Sequence, residues 1–190
     1  MTMRKEAFKR IVKESIPALI VAALIHILAG TTMQLRGIEA WLEIPIFLML
    51  VPSLSDLGND VTCIISSRIT TLLALGVIEP KLERSEALET NIIAIVTLGV
   101  LSAFYMGMIN FVVADKAGLE SIPMPSFLAV CVIAVTVLTL LVCAVAIGVA
   151  FIAWRRGLDP DNVTIPISTS VSDLLAIFSL LIAIRMVGSI

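Results

Sequence analysis

Charge is scarce in this chain: Asp, Glu, Lys and Arg together make up 15% of its 190 residues. An ordinary soluble domain carries about a quarter. The net charge of −2 leaves no basic surface for nucleic acid. Cysteine is sparse too. Cys63, Cys131 and Cys143 lie in apolar stretches without CxxC spacing, which excludes a disulfide framework and a zinc site. There is one histidine, His26. A lone His within a span either relays protons or hydrogen-bonds to another helix. Internal repeats, linkers and low-complexity segments are missing.

What is present is oil. Hydrophobic residues make up 59% of the chain and the mean hydropathy is +1.08. Five apolar segments, at about 15–33, 41–78, 91–114, 126–153 and 163–190, are each long enough to cross a hydrocarbon core of about 30 Å. The expected fold is all-α, a polytopic membrane protein with five transmembrane helices. Arg4, Lys5, Lys9, Arg10 and Lys13 precede the first span, Lys81 and Arg84 follow the second, and Arg155 and Arg156 follow the fourth. The positive-inside rule then puts the amino terminus in the cytoplasm and the carboxy terminus outside. Residues 1–14 read as a cytoplasmic amphipathic segment with Phe8, Ile11 and Val12 on its apolar side, and 15–190 as the transmembrane domain. The basic head before the first apolar run has the form of a signal peptide, but an uncleaved first helix is expected. Gly99, Ser102, Ala103 and Gly107 in the third span have the spacing of a close packing face.

Span two is anomalous. Its 38 residues would measure about 57 Å as one helix. Pro45, Pro52 and the Leu57-Gly58-Asn59 triplet predict a break near 53–59.

Two stretches put polar groups where lipid is expected: PSLSDLGNDVTCIISSRITTLLALG (52–76) and DPDNVTIPISTSVSD (159–173). An ionisable side chain at the bilayer centre costs at least about 2.5 kcal/mol, so such residues face a partner or water. Asp173 sits about 12 Å beyond Ile165, near mid-bilayer. It is either a neutral Asp hydrogen-bonded to another helix or a cation site, with Thr169 one turn before it and Ser172 beside it making that face polar. Asp56 and Asp60 are four residues apart and share a helix face if the break falls before them. Asn59, Cys63, Ser66 and Thr70 trace a neighbouring stripe, which is a packing seam or a pore wall. Arg68 either snorkels to the interface or pairs with a pore carboxylate. Asp159, Asp161 and Asn162 suit capping of the fifth helix, and equally a cytoplasmic vestibule that collects cations. All these donors are oxygens, fit for Mg2+, Ca2+ or Mn2+. One Asp173 per chain is thin for a divalent ion; two copies on a dimer axis would match its charge.

The ordered pattern Pro52, Leu54, Gly58-Asn59, Ser66-Ser67-Arg68-Ile69, Thr71, Gly76, then Asp159-Pro160-Asp161-Asn162, Pro166, Thr169-Ser170, Ser172-Asp173-Leu174 resembles the membrane domain of MgtE-type magnesium transporters. The DPDN and SDL forms are most similar to the eukaryotic and archaeal solute-carrier branch. The resemblance implies a five-helix homodimer whose cation path, lined by the second and fifth helices, lies near the two-fold axis. It implies that Asp173 is the central pore aspartate, Asn59 the amide of the Gly-Asn motif, and Asp159 the acid of the Asp-Pro mouth. Bacterial members have a large cytoplasmic region that senses magnesium. Only about 14 residues precede the first span here, so another means of gating is expected. Eukaryotic relatives fuse two such domains, so one copy implies pairing.

The expected function is transport of a divalent cation, Mg2+ before Mn2+, across the cytoplasmic membrane, with Asp173, Asn59, Asp56, Asp60, Asp159, Asn162 and Thr169 as candidate cation-binding residues. The expected partners are a second copy, the lipid bilayer and the ion. Alternatives are a sodium-coupled exchanger, an intramembrane aspartyl enzyme, which would need two converging carboxylates, and a purely structural subunit.

Overall fold

A chain this apolar, cut by short polar segments, has few choices in a bilayer except a helix bundle, because every backbone group must find its partner within its own segment. The computed structural model describes residues 2–33, 45–81, 83–119 and 122–188. They form five helices: α1 (Thr2–Met33), α2 (Pro45–Ala74), α3 (Glu86–Lys116), α4 (Met124–Arg155) and α5 (Pro160–Val187). All five are long and apolar enough to cross a membrane, and no strand occurs among the described residues.

The most apolar helix is central. α4 has no charge before Arg155 and buries one face along its whole length, from Phe127 and Val130 through Leu138 and Val142 to Phe151. A helix apolar all round belongs in a core or in lipid, and α4 meets α2, α3 and α5. α5 in turn packs against α2 and α1. α1 is the peripheral member. It buries a narrow stripe of Ala18, Ala22 and Ala29, while Leu19, Leu24, Ile27 and Leu28 remain exposed, the surface that lipid would cover.

Small residues set how closely the helices approach. A Cβ at Gly99 would stand 2.8 Å from Thr139 Oγ1, and one at Gly107 would stand 2.9 Å from Leu128 Cδ2. Gly99, Ala103 and Gly107 therefore form the buried face of α3 against α4. Ser102, of the same predicted packing set, turns instead toward α2. At Gly58 an added Cβ would collide with Ser172 Oγ and come within 3.2 Å of Leu138 Cδ2, so α2, α4 and α5 meet most closely there.

The break predicted within 53–59 does not occur. α2 is continuous from Pro45 to Ala74, with Pro52 inside it. A proline removes one hydrogen-bond donor and crowds the preceding turn, but Leu50, Leu54 and Gly58 stay buried in sequence along one face, and that packing holds the helix through the proline. The puzzle of excess length resolves differently. Thirty helical residues measure about 45 Å, which tilt or protrusion accommodates; positions 41–44 lie outside the described residues. α1 likewise runs unbroken past residue 15, so the basic head and the first span are one helix.

The basic clusters share one end of the bundle. Arg155 Nε donates to the Pro80 carbonyl at 2.7 Å and Arg10 Nη2 to the Gly157 carbonyl at 3.5 Å. These bonds tie the α2–α3 loop to the end of α4, and α1 to the α4–α5 turn. The turn needs Gly157, whose φ of +70° is open to glycine at little cost.

Gly58→Ala is expected to destabilise the protein by about 1–3 kcal/mol through overpacking. Ser172→Ala alone should be neutral or stabilising, because its buried hydroxyl has no partner, and it should rescue Gly58→Ala. Thermal unfolding of the three variants in detergent measures this; a double variant no more stable than Gly58→Ala refutes the contact.

Candidate functional site

Polar side chains in a bundle of this kind must be satisfied by other side chains, by their own helix backbone, or by water. Most hydroxyls take the second route. Thr62, Thr70, Thr71, Thr97 and Thr136 each donate to the carbonyl four residues earlier. Thr169 does the same, to Ile165 O at 2.8 Å with a second contact to Pro166 O at 3.2 Å.

Asp173 is the side chain for which no local solution exists. It lies 13 residues into α5, about 20 Å along the helix, and two other helices bring it partners. His26 of α1 places Nε2 at 2.8 Å from Oδ2, and Asn59 of α2 donates from Nδ2 to Oδ1 at 3.3 Å. Ser170, one turn earlier on α5, stands 3.4 Å from His26 Nδ1. The cluster is not sealed: the Asp173 side chain retains 24% of its exposure and that of His26 51%. Asn59 Oδ1 is buried without a partner. Asn59, Asp173 and the helices that carry them thus converge on a carboxylate that is bonded yet open on one side.

A second polar contact lies at the basic end of the same helix pair. Glu14 of α1 accepts, through Oε2, from the Asp159 backbone N–H and from Asn162 Nδ2, both at 3.1 Å. Its other oxygen accepts from Arg10 at 2.9 Å. Asp159 caps α5 by accepting from the Asp161 N–H at 3.2 Å, with Pro160 in the first turn. Because Glu14 meets the start of α5 and His26 meets its middle, α1 and α5 run parallel and in register.

Asp56 and Asp60 do share a helix face, and it looks elsewhere. They line a groove of 340 Å³ with Ser53 and Leu57 of α2 and with Ser102, Tyr105, Met106, Ile109 and Asn110 of α3. The polar stripe beside them divides: Cys63 is exposed, whereas Ser66 is fully buried. Ser172 is also turned inward, against Gly58, and does not widen the Asp173 face. Arg68 donates to Asn91 Oδ1 on α3 at 3.1 Å. Among the described residues no three His, Cys, Asp or Glu side chains gather into a metal-holding group.

Sequence reasoning named neither Glu14 nor the partner of His26. A carboxylate at the end of a basic head and an imidazole in an aliphatic run both advertise a partner, but the partners lie 145 and 147 positions away.

No solved structure matches the chain. A family model described as MgtE, divalent cation transporter, matches residues 51–183, more than two thirds of the sequence, and its span contains Gly58-Asn59, Asp159-Pro160 and Asp173. This is a family of transporters and not of enzymes. The chain belongs to the MgtE family of divalent cation transporters.

Proposed function

We propose that this protein carries Mg2+ across the cytoplasmic membrane as a homodimer, along a path lined by α2 and α5 near the two-fold axis. One observation carries the reading: a carboxylate deep in the bundle, Asp173, is held from α2 by Asn59 and still keeps an open face. A carboxylate exposed to lipid is costly, so that face needs water, a second protomer, or both. Two Asp173 carboxylates across an axis match a doubly charged ion. Mg2+ keeps most of its water and takes few carboxylates, which suits so sparse a donor set.

The cytoplasmic mouth in this reading is Asp159 and Asn162 at the start of α5, with the basic end of the bundle inside and the carboxy terminus outside. Thr169 lies one turn from Asp173; its hydroxyl hydrogen is directed to its own backbone, so its oxygen faces the path only as an acceptor. Asp56 and Asp60 form a separate acidic groove that raises the local cation concentration beside α2. An aspartyl enzyme would need two carboxylates on one bond, whereas the partners of Asp173 are an imidazole and an amide.

Reconstituted in liposomes, Asp173→Ala should cut Mg2+ flux by about a hundredfold, equivalent to losing about 3 kcal/mol of cation stabilisation. Retained flux would make Asp173 structural. Neutralising Asp56 and Asp60 together should cost less than about fivefold, or about 1 kcal/mol. Imposing and removing a sodium gradient separates a channel from an exchanger; unchanged Mg2+ flux is expected.

The dimer has its own test. Of the three cysteines only Cys63 is exposed, one turn beyond Asn59 on α2. If α2 lines the axis, oxidation should link two copies through Cys63. Cys63→Ser should abolish the link, and replacing the buried Cys131 and Cys143 should not. Failure to cross-link, together with a monomeric mass, would refute the dimer.

A further inference from the structure

His26 is the polar residue that the proposed path does not use, although it makes the shortest contact to its central carboxylate. Two side chains of α5 meet its ring. Ser170 Oγ, 2.8 Å from the Pro166 carbonyl, stands 3.4 Å from His26 Nδ1. Nε2 is the ring nitrogen turned to Asp173, 2.8 Å from Oδ2, a contact that one shared proton makes and that a shared cation could replace.

The spacing fits a metal ion. Ligands about 2.1 Å from an octahedral ion, at right angles to one another, stand about 3.0 Å apart. Nε2 to Oδ2 at 2.8 Å and Asn59 Nδ2 to Oδ1 at 3.3 Å bracket that value. The Asn59 carbonyl oxygen is buried with no partner, and turning the amide over exchanges the nitrogen for this oxygen on the Asp173 side. The three donors come from three helices, α1, α2 and α5.

We propose that His26 Nε2 is a direct ligand of the transported ion, sharing it with Asp173 and Asn59, and that this imidazole biases the site toward first-row divalent ions such as Co2+ and Ni2+ relative to Mg2+. The inference rests on the Asp173 path. Imidazole is a better donor to Co2+ and Ni2+ than to Mg2+, which prefers oxygen. Each protomer offers three donors, and the positions they leave fall to water and to the second copy across the axis. Ser170 acts on His26 as an orienting partner, fixing which nitrogen faces the ion.

The single histidine makes the test unambiguous. The full chain, prepared without a polyhistidine tag, is loaded with Mn2+ and examined by pulsed electron paramagnetic resonance. Imidazole 14N modulation of the Mn2+ signal is expected, converting to the 15N pattern when the unmutated chain is grown with 15N-histidine and vanishing in Asp173→Asn. In liposomes, His26→Gln should lower the Co2+ to Mg2+ flux ratio at least about tenfold, a change of about 1.4 kcal/mol. Mn2+ bound in an Asp173-dependent manner without nitrogen modulation overturns the role of His26 and leaves the path standing. Mn2+ binding that ignores Asp173→Asn, or no bound Mn2+ at all, overturns the shared site and the Asp173 path with it.

Discussion

A carboxylate placed in the middle of a membrane helix must be accommodated by its neighbours, and in this bundle Asp173 has drawn two other helices to itself. The pairing depends on closeness won by packing. Gly58 and Asn59 are consecutive on α2, as Ser172 and Asp173 are on α5. The first member of each pair makes the tight apolar approach, with Gly58 admitting Ser172 where no Cβ would fit. The second makes the polar contact, with Asn59 reaching the carboxylate at 3.3 Å. A larger residue at 58 would hold α2 away from α5 and leave the amide short of its partner. Behind both, α4 supplies an uncharged wall through Leu138.

Polarity inside the bundle falls into two populations. Ser66, Thr164, Ser168, Ser172 and Ser179 are fully or almost fully buried with unpartnered hydroxyls, small side chains chosen for their size as much as for their oxygen. Asp173, His26 and the acidic pair Asp56 and Asp60 keep exposure. Only the second population keeps the access that lining a path would require, and a stripe of hydroxyls along a helix does not distinguish the two.

The five helices were legible because each announces itself by length and hydropathy, and the turns by Gly157 and the Asp159-Pro160 start. The supposed break in α2 was misread for a physical reason: Pro52 and Gly58 each weaken a helix locally, but buried contacts at Leu50, Leu54 and Gly58 restore what the local signal takes away. For the candidate site, Asp173 and Asn59 could be named from a single sequence, as polar groups in oily surroundings, and the structure brings them together. The separation of Asp56 and Asp60 onto the α3 side could not be read, because helical spacing gives the shared face and not the neighbour it looks toward. Nor could the contacts of α1, since a lone Glu14 or His26 carries no sign of which distant helix will meet it.

The register between α1 and α5 also bears on how the protein is assembled. These are the first and the last of the described helices to emerge from the ribosome, and α1 packs on α5 rather than on the three helices made in between. Until α5 is inserted, Glu14 lacks the backbone N–H it receives and His26 lacks its carboxylate. The contacts that α1 makes to the Asp173 cluster and to the start of α5 can therefore form only after the last of the described helices has been made.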